Sequence, residues 1–320
     1  MDSHDPCVSI ITPCYNGAKT VHRMIESVLA QTYDNIEYVF VNDGSTDDSE
    51  KVVLSYKKQF EDRGFLFKYI KQENKGLGGA INAGLKEFTG EYLCWADADD
   101  FYAPDSVKKR VEWMEEHPEY SAVTSDAYIV REDDLTNISK RVSQGIKNNE
   151  DEKQFWHLLS GESIFCCACH MLRVSDFLRV NPNREIYPAR RGQNWQMLLP
   201  IYYYGKRYFL NEPLFYYVSS SGSMSRDDST QKKLERCDEH EFILNQTLDS
   251  MDMLPEDYKK AKDCVRLNYI RKRLFIAYCA CDANVAEEQA KKLKKEHKLT
   301  LRDRIYLLSA KHPRLKKILH

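Results

Sequence analysis

Residues 8–16, Val-Ser-Ile-Ile-Thr-Pro-Cys-Tyr-Asn, and residues 91–100, Glu-Tyr-Leu-Cys-Trp-Ala-Asp-Ala-Asp-Asp, decide the fold of this chain. Each begins as an apolar run rich in strand-forming residues and ends in polar residues typical of a turn. Two more such runs, residues 36–41 and 65–70, lie between them and are separated by helical stretches. Strands that alternate with helices predict an α/β fold, with a mainly parallel central sheet and helices on both faces.

Length, composition and charge exclude several classes of protein. The chain has 320 residues, of which 42% are hydrophobic and 30% charged, and such a composition is typical of a folded protein. A formal net charge of -2 excludes a uniformly basic nucleic-acid binder, so we expect no nucleic-acid partner. No apolar run reaches the roughly 18 residues of a spanning helix, and the start resembles no signal peptide. Ten scattered cysteines are then expected to be reduced thiols in the cytoplasm.

The remaining chain is predicted from the same patterns. A polar helix over 47–63 and a glycine-rich loop over 74–79 belong to the first half, and beyond residue 104 the pattern becomes mixed. There we expect helices at 107–117 and 195–204, strands at 121–130 and 163–172, a polar loop at 131–152, and an almost wholly helical segment from about 227. The predicted domains are 1–225, with halves 1–110 and 111–225, and a basic helical extension, 226–320.

Polar residues follow each of the first four strands, where ligands bind in open parallel sheets. The turn after the first strand lacks the G-x-G-x-x-G pattern of a dinucleotide site, and the chain has no P-loop. Three carboxylates within four residues instead suggest a divalent cation, Mg²⁺ or Mn²⁺, which can stabilise a diphosphate as a leaving group. The candidate residues at these strand ends are Pro13, Tyr15, Asp43, Lys75, Gly76, Asp97, Asp99 and Asp100.

Each of these features also has a purely structural interpretation. Aspartates favour the turns that end strands, so the cluster could be a solvated turn. Asp43 could form an Asx-turn in Asn-Asp-Gly-Ser rather than contact a ribose or base, and Gly76, Gly78 and Gly79 could simply open a helix. What favours a binding site is that all four strand ends carry such residues together.

Five ordered motifs make the chain resemble a family 2 glycosyltransferase with the GT-A fold. They are Val-Ser-Ile-Ile-Thr-Pro-Cys-Tyr-Asn, Ser-Val-Leu-Ala-Gln-Thr-Tyr, Val-Asn-Asp-Gly-Ser-Thr-Asp, the glycine-rich run from Asn74 to Gly84, and the run from Gly90 to Asp100. The resemblance is dense over about the first 110 residues, extends more thinly to roughly residue 225, and says little about the helical tail.

The resemblance implies transfer of a sugar, with inversion, from a nucleotide-diphosphate sugar that is commonly UDP-linked. It implies a glycan or lipid-linked sugar as the acceptor, as in the assembly of bacterial surface polysaccharides. Carried over by position, Pro13 and Tyr15 frame the nucleobase, Asp43 contacts the base or ribose, and Lys75 and Gly76 lie along the nucleotide. Asp99 then approaches the ribose, with Asp97 beside it at the nucleotide sugar, while Asp99 and Asp100 hold the metal.

The sequence departs from that family in two places. Members with inverting chemistry usually place an acid where this chain has Gln193 and Asn194, and neither amide accepts a proton at neutral pH. Glu185 and Asp126 are candidates for the missing base, and the two amides could still orient the acceptor. In the later loop, Arg226 could close over the diphosphate, or the loop could be a polar linker.

Two further patterns have more than one interpretation. Cys166, Cys167, Cys169 and His170 lack the spacing of a zinc site and are expected to lie on a buried, reduced strand. Between residues 291 and 320 the basic side chains greatly outnumber the acidic ones. Apolar stripes at helical spacing accompany them, so these helices either close the domain or contact an anionic membrane.

The sequence therefore predicts a cytoplasmic, metal-dependent glycosyltransferase. Two other classes compete with it. A non-catalytic nucleotide-sugar or glycan-binding protein would explain the missing acid at Gln193 and Asn194. A nucleotidyltransferase would need a Gly- and Lys/Arg-rich loop directly after the first strand, which residues 13–19 do not resemble.

Overall fold

One sheet organises the first part of the chain in the computed structural model, which describes residues 5–219 and 229–312. The chain divides into two units, Met1–Ser221 and Gly222–His320. The sheet strands are β1 (Val8–Cys14), β2 (Ile36–Asp43), β3 (Leu66–Gln72), β4 (Tyr92–Trp95), β5 (Phe101–Tyr102), β6 (Ala122–Arg131), β7 (Asp134–Arg141), β8 (His170–Arg173) and β9 (Arg207–Ser219).

Helices cover this sheet in the first unit and make up the second unit. Those of the first unit are α1 (Val21–Leu29), α2 (Ser49–Ser55), α3 (Lys57–Asp62), α4 (Gly76–Glu87), α5 (Ser106–Glu116), α6 (Phe155–Ser160), α7 (Val174–Val180) and α8 (Gln193–Tyr204). Those of the second are α9 (Thr230–Asp249), α10 (Pro255–Ala280), α11 (Ala283–Lys295) and α12 (Leu301–Lys311).

The strand order is β3-β2-β1-β4-β8-β6-β9-β5, with β7 paired to β6. Strands β3, β2, β1 and β4 are mutually parallel, as the alternation of strands and helices predicts. Strand β8 is antiparallel to both β4 and β6, while β9 is parallel to β6. Strands β1, β2 and β4 are buried along their whole length, which explains their nearly continuous apolar sequences.

Register brings the carboxyl ends of the parallel strands to one edge of the sheet. Cys14 lies beside Asn42, and Ile11 lies beside Trp95. The residues that follow β1, β2 and β4 therefore emerge next to one another at that edge. The predicted α/β fold is confirmed.

Four local predictions were wrong. The predicted strand over 163–172 is a strand only in β8, because Cys167–Cys169 forms a 3₁₀ turn in which the Cys169 amide donates to the Cys166 carbonyl. The loop predicted at 131–152 contains β7, an edge strand polar on both faces, so no alternation of hydrophobicity marks it. The helix predicted at 47–63 breaks at Tyr56, and the Ser55 hydroxyl bonds the Val52 carbonyl just before the break. The predicted glycine-rich loop already belongs to α4 from Gly76 onward.

The second unit packs its helices around a core of its own. Val265, Tyr269 and Ile270 lie on one face of α10 and are buried. Thr300 and Asp303 form a reciprocal capping box at the start of α12, which fixes where that helix begins. The core cluster comprises Ile270, Leu274, Ala277, Ala286, Leu293 and Ala310.

Candidate functional site

The aspartates that follow β4 form the most acidic part of the sheet's carboxyl edge. Asp97 is partly exposed, Asp99 is exposed, and Asp100 is only 1% exposed. Oδ1 of Asp100 accepts a hydrogen bond of 2.7 Å from the Val218 amide of β9. Its Oδ2 is buried and has no hydrogen-bond partner among the described residues. A buried carboxylate oxygen without a donor is costly in a free protein, and a bound cation would remove that cost.

The pKa values of the three aspartates are all raised. Burial raises the pKa of Asp97 to about 6, with the charge of Asp99 as the second cause. Burial also raises the pKa of Asp99, and it raises that of Asp100 well above the usual range, helped by the charges of Asp99 and Asp97. Burial is the main cause of this pattern, and repulsion by neighbouring carboxylates adds to it at Asp97 and Asp100. The site therefore favours a positive charge beside it.

Two neighbours of the cluster carry no sequence signal of their own. Arg23 of α1 donates from Nη2 to the Asp99 carbonyl at 2.7 Å, and its charge partly offsets the rise in the Asp99 and Asp100 pKa values. Cys167 places its Sγ 3.6 Å from Oδ2 of Asp97. Neither belongs to a recognisable motif, and both reach the cluster only through tertiary structure.

At the end of β2, Asp43 is held in a fixed orientation. Its Oδ1 accepts hydrogen bonds from the Lys75 amide at 2.8 Å and from Nε2 of Gln72 at 2.6 Å. The side chain is buried, while Oδ2 makes no hydrogen bond to the described residues. This is not the local Asx-turn of the structural interpretation, because both donors to Asp43 lie outside that turn, and it is Oδ1 of Asn42 that accepts from the Ser45 amide. Asp43 instead joins β2 to the start of α4 and leaves one oxygen for a ligand.

The glycines that open α4 serve partly to let another segment of backbone approach. Gly76 has a φ of +74°, in the region that favours glycine. A Cβ on Gly78 would lie 2.8 Å from the backbone nitrogen and oxygen of Ala189, and the Gly78 amide donates to that oxygen. The space at Gly78 is thus filled by protein, which favours the structural interpretation there.

The two residues predicted to frame the nucleobase differ in exposure. Pro13 is buried within β1, whereas Tyr15, just beyond the strand, is 54% exposed. Only the Tyr15 ring is therefore available as a stacking surface for a base. A shallow depression of about 580 Å³ lies at the ends of β2 and β3 and does not include the aspartates; it is lined by Gly44, Ser45, Lys71, Gln72, Glu73 and Asn74.

Gln193 and Asn194 begin α8 and behave differently. Oδ1 of Asn194 accepts from Nε1 of Trp95 at 2.8 Å, and its Nδ2 donates to the Phe165 carbonyl at 2.7 Å. Asn194 therefore ties α8 to the end of β4 and to the segment before the 3₁₀ turn. The Gln193 side-chain amide makes no hydrogen bond to the described residues, although the residue is only 7% exposed.

The candidate bases are not brought to the aspartate cluster. Glu185 pairs with Lys86 at 3.5 Å, and Lys86 lies about 15 Å along α4 from Gly76 at the helical rise per residue. Asp126 is completely buried, and its oxygens accept hydrogen bonds from the Ala127 and Ser143 amides and the Ser143 hydroxyl. Both carboxylates have structural roles in this arrangement. Arg226 lies outside the described residues.

The aspartates fit a divalent cation that is shared with a substrate. Within residues 5–219 and 229–312, no three His, Cys, Asp or Glu side chains are placed to hold a metal by themselves. Mg²⁺ is commonly bound by one or two carboxylates together with substrate phosphates. The unpartnered Oδ2 of Asp100 and the neighbouring carboxylate of Asp99 match that kind of site.

Comparison with known proteins identifies the family. Residues 9–180 match the family model described as glycosyl transferase family 2, which is more than half of the chain. The protein belongs to glycosyl transferase family 2, and the resemblance found in its sequence is confirmed.

Curated relatives agree over shorter lengths. An uncharacterised glycosyltransferase of Rickettsia typhi is 44% identical over 34% of this chain, and the match spans 32% of that relative. An uncharacterised glycosyltransferase of Nostoc is 40% identical over 45% of this chain and 43% of the relative. The putative glycosyltransferase EpsE of Bacillus subtilis is 27% identical over 70% of this chain and 77% of its own length. The first of these matches thus spans about a third of the relative.

Solved structures share the fold at low sequence identity. S. aureus TarS residues 1–349, crystallised with UDP-GlcNAc, superposes with a TM-score of 0.61 at 15% identity, over 95% of this chain and 89% of that one. The mannosyltransferase PcManGT of Pyrobaculum calidifontis, in complex with GDP-Man and Mn²⁺, superposes with a TM-score of 0.58 at 20% identity, over 96% and 86%. The fold is GT-A, as predicted.

Proposed function

We propose that this protein is an inverting, metal-dependent glycosyltransferase that moves a sugar from a nucleotide-diphosphate sugar, UDP-linked, to a glycan or lipid-linked acceptor in polysaccharide biosynthesis. One observation carries the proposal: a buried carboxylate oxygen of Asp100 lacks a partner within an acidic cluster at the carboxyl edge of the sheet. Membership of family 2 and the nucleotide-sugar complexes of TarS and PcManGT support it. The division into a nucleotide half, 1–110, and an acceptor half, 111–225, is part of the same proposal.

The donor is proposed to lie across the ends of β1, β2 and β4. The Tyr15 ring covers the base, and Oδ2 of Asp43 accepts from a ribose or base donor. Lys75, whose amide is fixed by Asp43, brings its exposed ammonium toward the nucleotide. Asp99 and Asp100 would hold Mg²⁺ or Mn²⁺, which when bound neutralises the negative charge that develops on the departing nucleoside diphosphate.

The acceptor is proposed to bind at the start of α8. The Phe165 and Trp195 rings pack at 4.8 Å between centroids, and Phe165 is 38% exposed. Apolar ring faces of this kind suit the C–H face of a sugar, while the Gln193 amide can hydrogen-bond its hydroxyl groups. Asn194 fixes this corner to Trp95, two residues before Asp97, so the acceptor hydroxyl would lie close to the donor.

We propose the cytoplasm as the compartment where the enzyme works. All ten cysteines are free thiols in the structure, which suits a reducing compartment. Nucleotide sugars would meet the acceptor there, at the inner face of the cytoplasmic membrane.

Release of nucleoside diphosphate is the measurement that tests the proposal. A panel of nucleotide sugars is incubated with Mn²⁺ or Mg²⁺, or with EDTA, in the presence and absence of free and lipid-linked sugar acceptors. We expect metal-dependent release from one donor that rises when an acceptor is added. Nucleotide binding without release across the whole panel would instead support the non-catalytic binding protein, which the amides at Gln193 and Asn194 favour.

A further inference from the structure

Helix α12 presents an apolar stripe to solvent. Leu301, Ile305 and Leu308 are 75%, 37% and 52% exposed. At 100° per residue these three side chains fall within about 60° of one another around the helix axis. Exposed apolar side chains grouped in this way, rather than scattered singly, mark a surface for interaction.

The opposite face of α12 holds the helix in the second unit. Ala310 belongs to the core cluster together with residues of α10 and α11, and Tyr306 and Leu307 pack against that cluster. These residues project about 130° to 170° from the middle of the stripe, so burying one face turns the other outward. The stripe is therefore a fixed feature of the surface, and no rotation of α12 could bury it without removing Ala310 from the core.

Cations border the stripe on both sides. Arg304 projects on one side and Arg302 on the other, and both are exposed. Lys311 lies on the same side as Arg304 and is paired with Glu287. The single acid of α12, Asp303, is buried, lies 3.5 Å from Arg271 and serves the capping box. The outward half of the helix is thus apolar in the middle and positive at its edges.

Positive charge also dominates α11 and the residues that follow it. Glu287, Glu288 and Glu296 each form an ion pair, with Lys311, Lys292 and Arg266 respectively. Four more exposed lysines have no ion pair within the described residues: Lys291, Lys294, Lys295 and Lys298.

We propose that this surface, defined by Leu301, Ile305 and Leu308 with their flanking cations, binds the anionic face of a lipid bilayer. An apolar stripe sinks into the boundary between headgroups and acyl chains, while basic side chains on its borders meet the lipid phosphates. A second copy of this chain is a poor partner, since pairing two stripes would bring their cationic borders together. Among the described helices, none is both long and apolar enough to span a membrane. The proposal does not depend on sugar transfer.

Co-sedimentation with vesicles tests the proposal directly, using the full chain. Vesicles of phosphatidylcholine alone are compared with vesicles of equal parts phosphatidylglycerol and phosphatidylcholine. The test variant is L301S/I305S/L308S. The matched control, L54S/L66S/I138S, removes three side chains of similar exposure, 41%, 51% and 48%, from the first unit.

We expect wild type and the control to bind the anionic vesicles and the test variant to bind at least about tenfold more weakly. Binding should also fall when NaCl is raised from about 0.05 to about 0.5 M, since the cations are exposed. Equal binding by the test variant, or no preference for anionic vesicles, would overturn the proposal. So would a concentration-dependent dimer of the wild type that the test variant abolishes, because the stripe would then be a contact between copies. Nucleoside diphosphate release with a soluble acceptor, measured on the same samples, keeps this outcome separate from that of the proposed transferase.

Discussion

Gln193 and Asn194 are neighbours in the sequence, yet only Asn194 is tied into the protein by its side chain. Truncation by Asn194→Ala leaves the buried Trp95 indole N–H and the Phe165 carbonyl without partners. Each buried group left unsatisfied costs about 1–3 kcal/mol. We therefore expect N194A to lower the free energy of unfolding by about 2 kcal/mol or more, measured by urea denaturation.

The adjacent substitution Gln193→Ala is the matched control for stability and a prediction of its own for activity. Because the Gln193 amide has no hydrogen bond to lose among the described residues, Q193A removes only the packing of a side chain that is 7% exposed, and it should lower stability by about 1 kcal/mol, less than N194A. If this amide orients the acceptor, KM for the acceptor should rise roughly tenfold, the effect of about 1.4 kcal/mol, while KM for the donor stays the same. An unchanged acceptor KM would remove Gln193 from the acceptor site.

We expect the Asp100 carboxylate to lower the stability of the folded protein while it supports metal-dependent activity. Asp100→Asn keeps an oxygen that accepts from the Val218 amide but removes one of three neighbouring negative charges. We expect the free energy of unfolding to stay level or rise, since less like charge is held near a buried position. Metal-dependent release of nucleoside diphosphate should fall by about 100-fold or more.

The exposed Asp34, which lies 3.5 Å from Arg63, supplies the control for that substitution. Asp34→Asn removes the same charge outside the cluster and should leave both activity and stability nearly unchanged. Full metal-dependent turnover in D100N would show that Asp100 does not hold the cation.

At the scale of single elements, two effects compete in α4: the higher helix propensity of alanine, and the space that a neighbouring backbone segment needs at a glycine. Alanine is favoured over glycine in a helix by about 1 kcal/mol. At Gly78, however, the added Cβ would lie 2.8 Å from the backbone of Ala189, which has no flexible side chain to move aside. We expect Gly78→Ala to destabilise the protein and to weaken nucleotide binding, because the start of α4 also presents Lys75.

The propensity term can be measured in the same helix. Ala83→Gly changes the backbone preference without adding an atom and should cost about 1 kcal/mol. Urea denaturation of both variants then separates propensity from contact. A G78A variant more stable than wild type by about 1 kcal/mol would mean that residues 187–190 shift to accommodate the added methyl group at little energetic cost.

Elements with a strong period could be predicted from the sequence, whereas those defined by long-range contacts could not. Strands β1, β2 and β4 are apolar runs because both faces of the sheet are covered. Strand β7 is polar on both faces, and only its pairing with β6 makes it a strand. The 3₁₀ turn at Cys167–Cys169 follows Phe165, whose carbonyl accepts a hydrogen bond from Asn194. These two residues are far apart in the sequence, so no local pattern predicts the contact.

For the molecule as a whole, the place of the site followed from topology. Parallel strands bring their carboxyl ends to one edge, so Asp43 and the aspartates could be expected to lie there. Arg23 and Cys167 could not be expected at the same place, because they approach from α1 and the 3₁₀ turn through contacts that no local pattern encodes. The buried Asp126 shows the same limit: its sequence context does not distinguish a catalytic carboxylate from one that holds Ser143.

The pH dependence of stability is also a property of the whole first unit, and His170 provides a probe of it. Its ring is completely buried, with Nδ1 2.9 Å from the Thr124 hydroxyl and 3.1 Å from that of Tyr202. Burial, with the charges of Arg207 and Arg110 as further causes, lowers the pKa of His170 to about 3. The imidazole is therefore neutral in the folded state across the ordinary pH range.

In the unfolded chain, His170 should titrate near its usual pKa of about 6.5. Between these two values the unfolded state binds more protons than the folded state, so stability present above pH 6.5 is lost as the pH falls, by up to about 1.4 kcal/mol per pH unit. Asp97, whose pKa is raised, acts in the opposite direction over part of this pH range, so the pH dependence of wild-type stability alone does not isolate the contribution of His170.

Comparison with the variant His170→Gln isolates that contribution, because every other group titrates in both proteins. We expect the free energy of unfolding of wild type minus that of H170Q to fall by about 2–3 kcal/mol between pH 6.5 and about 4.5. A difference that stays constant over this range would mean that the folded protein accommodates the protonated ring and that His170 is not held neutral by burial.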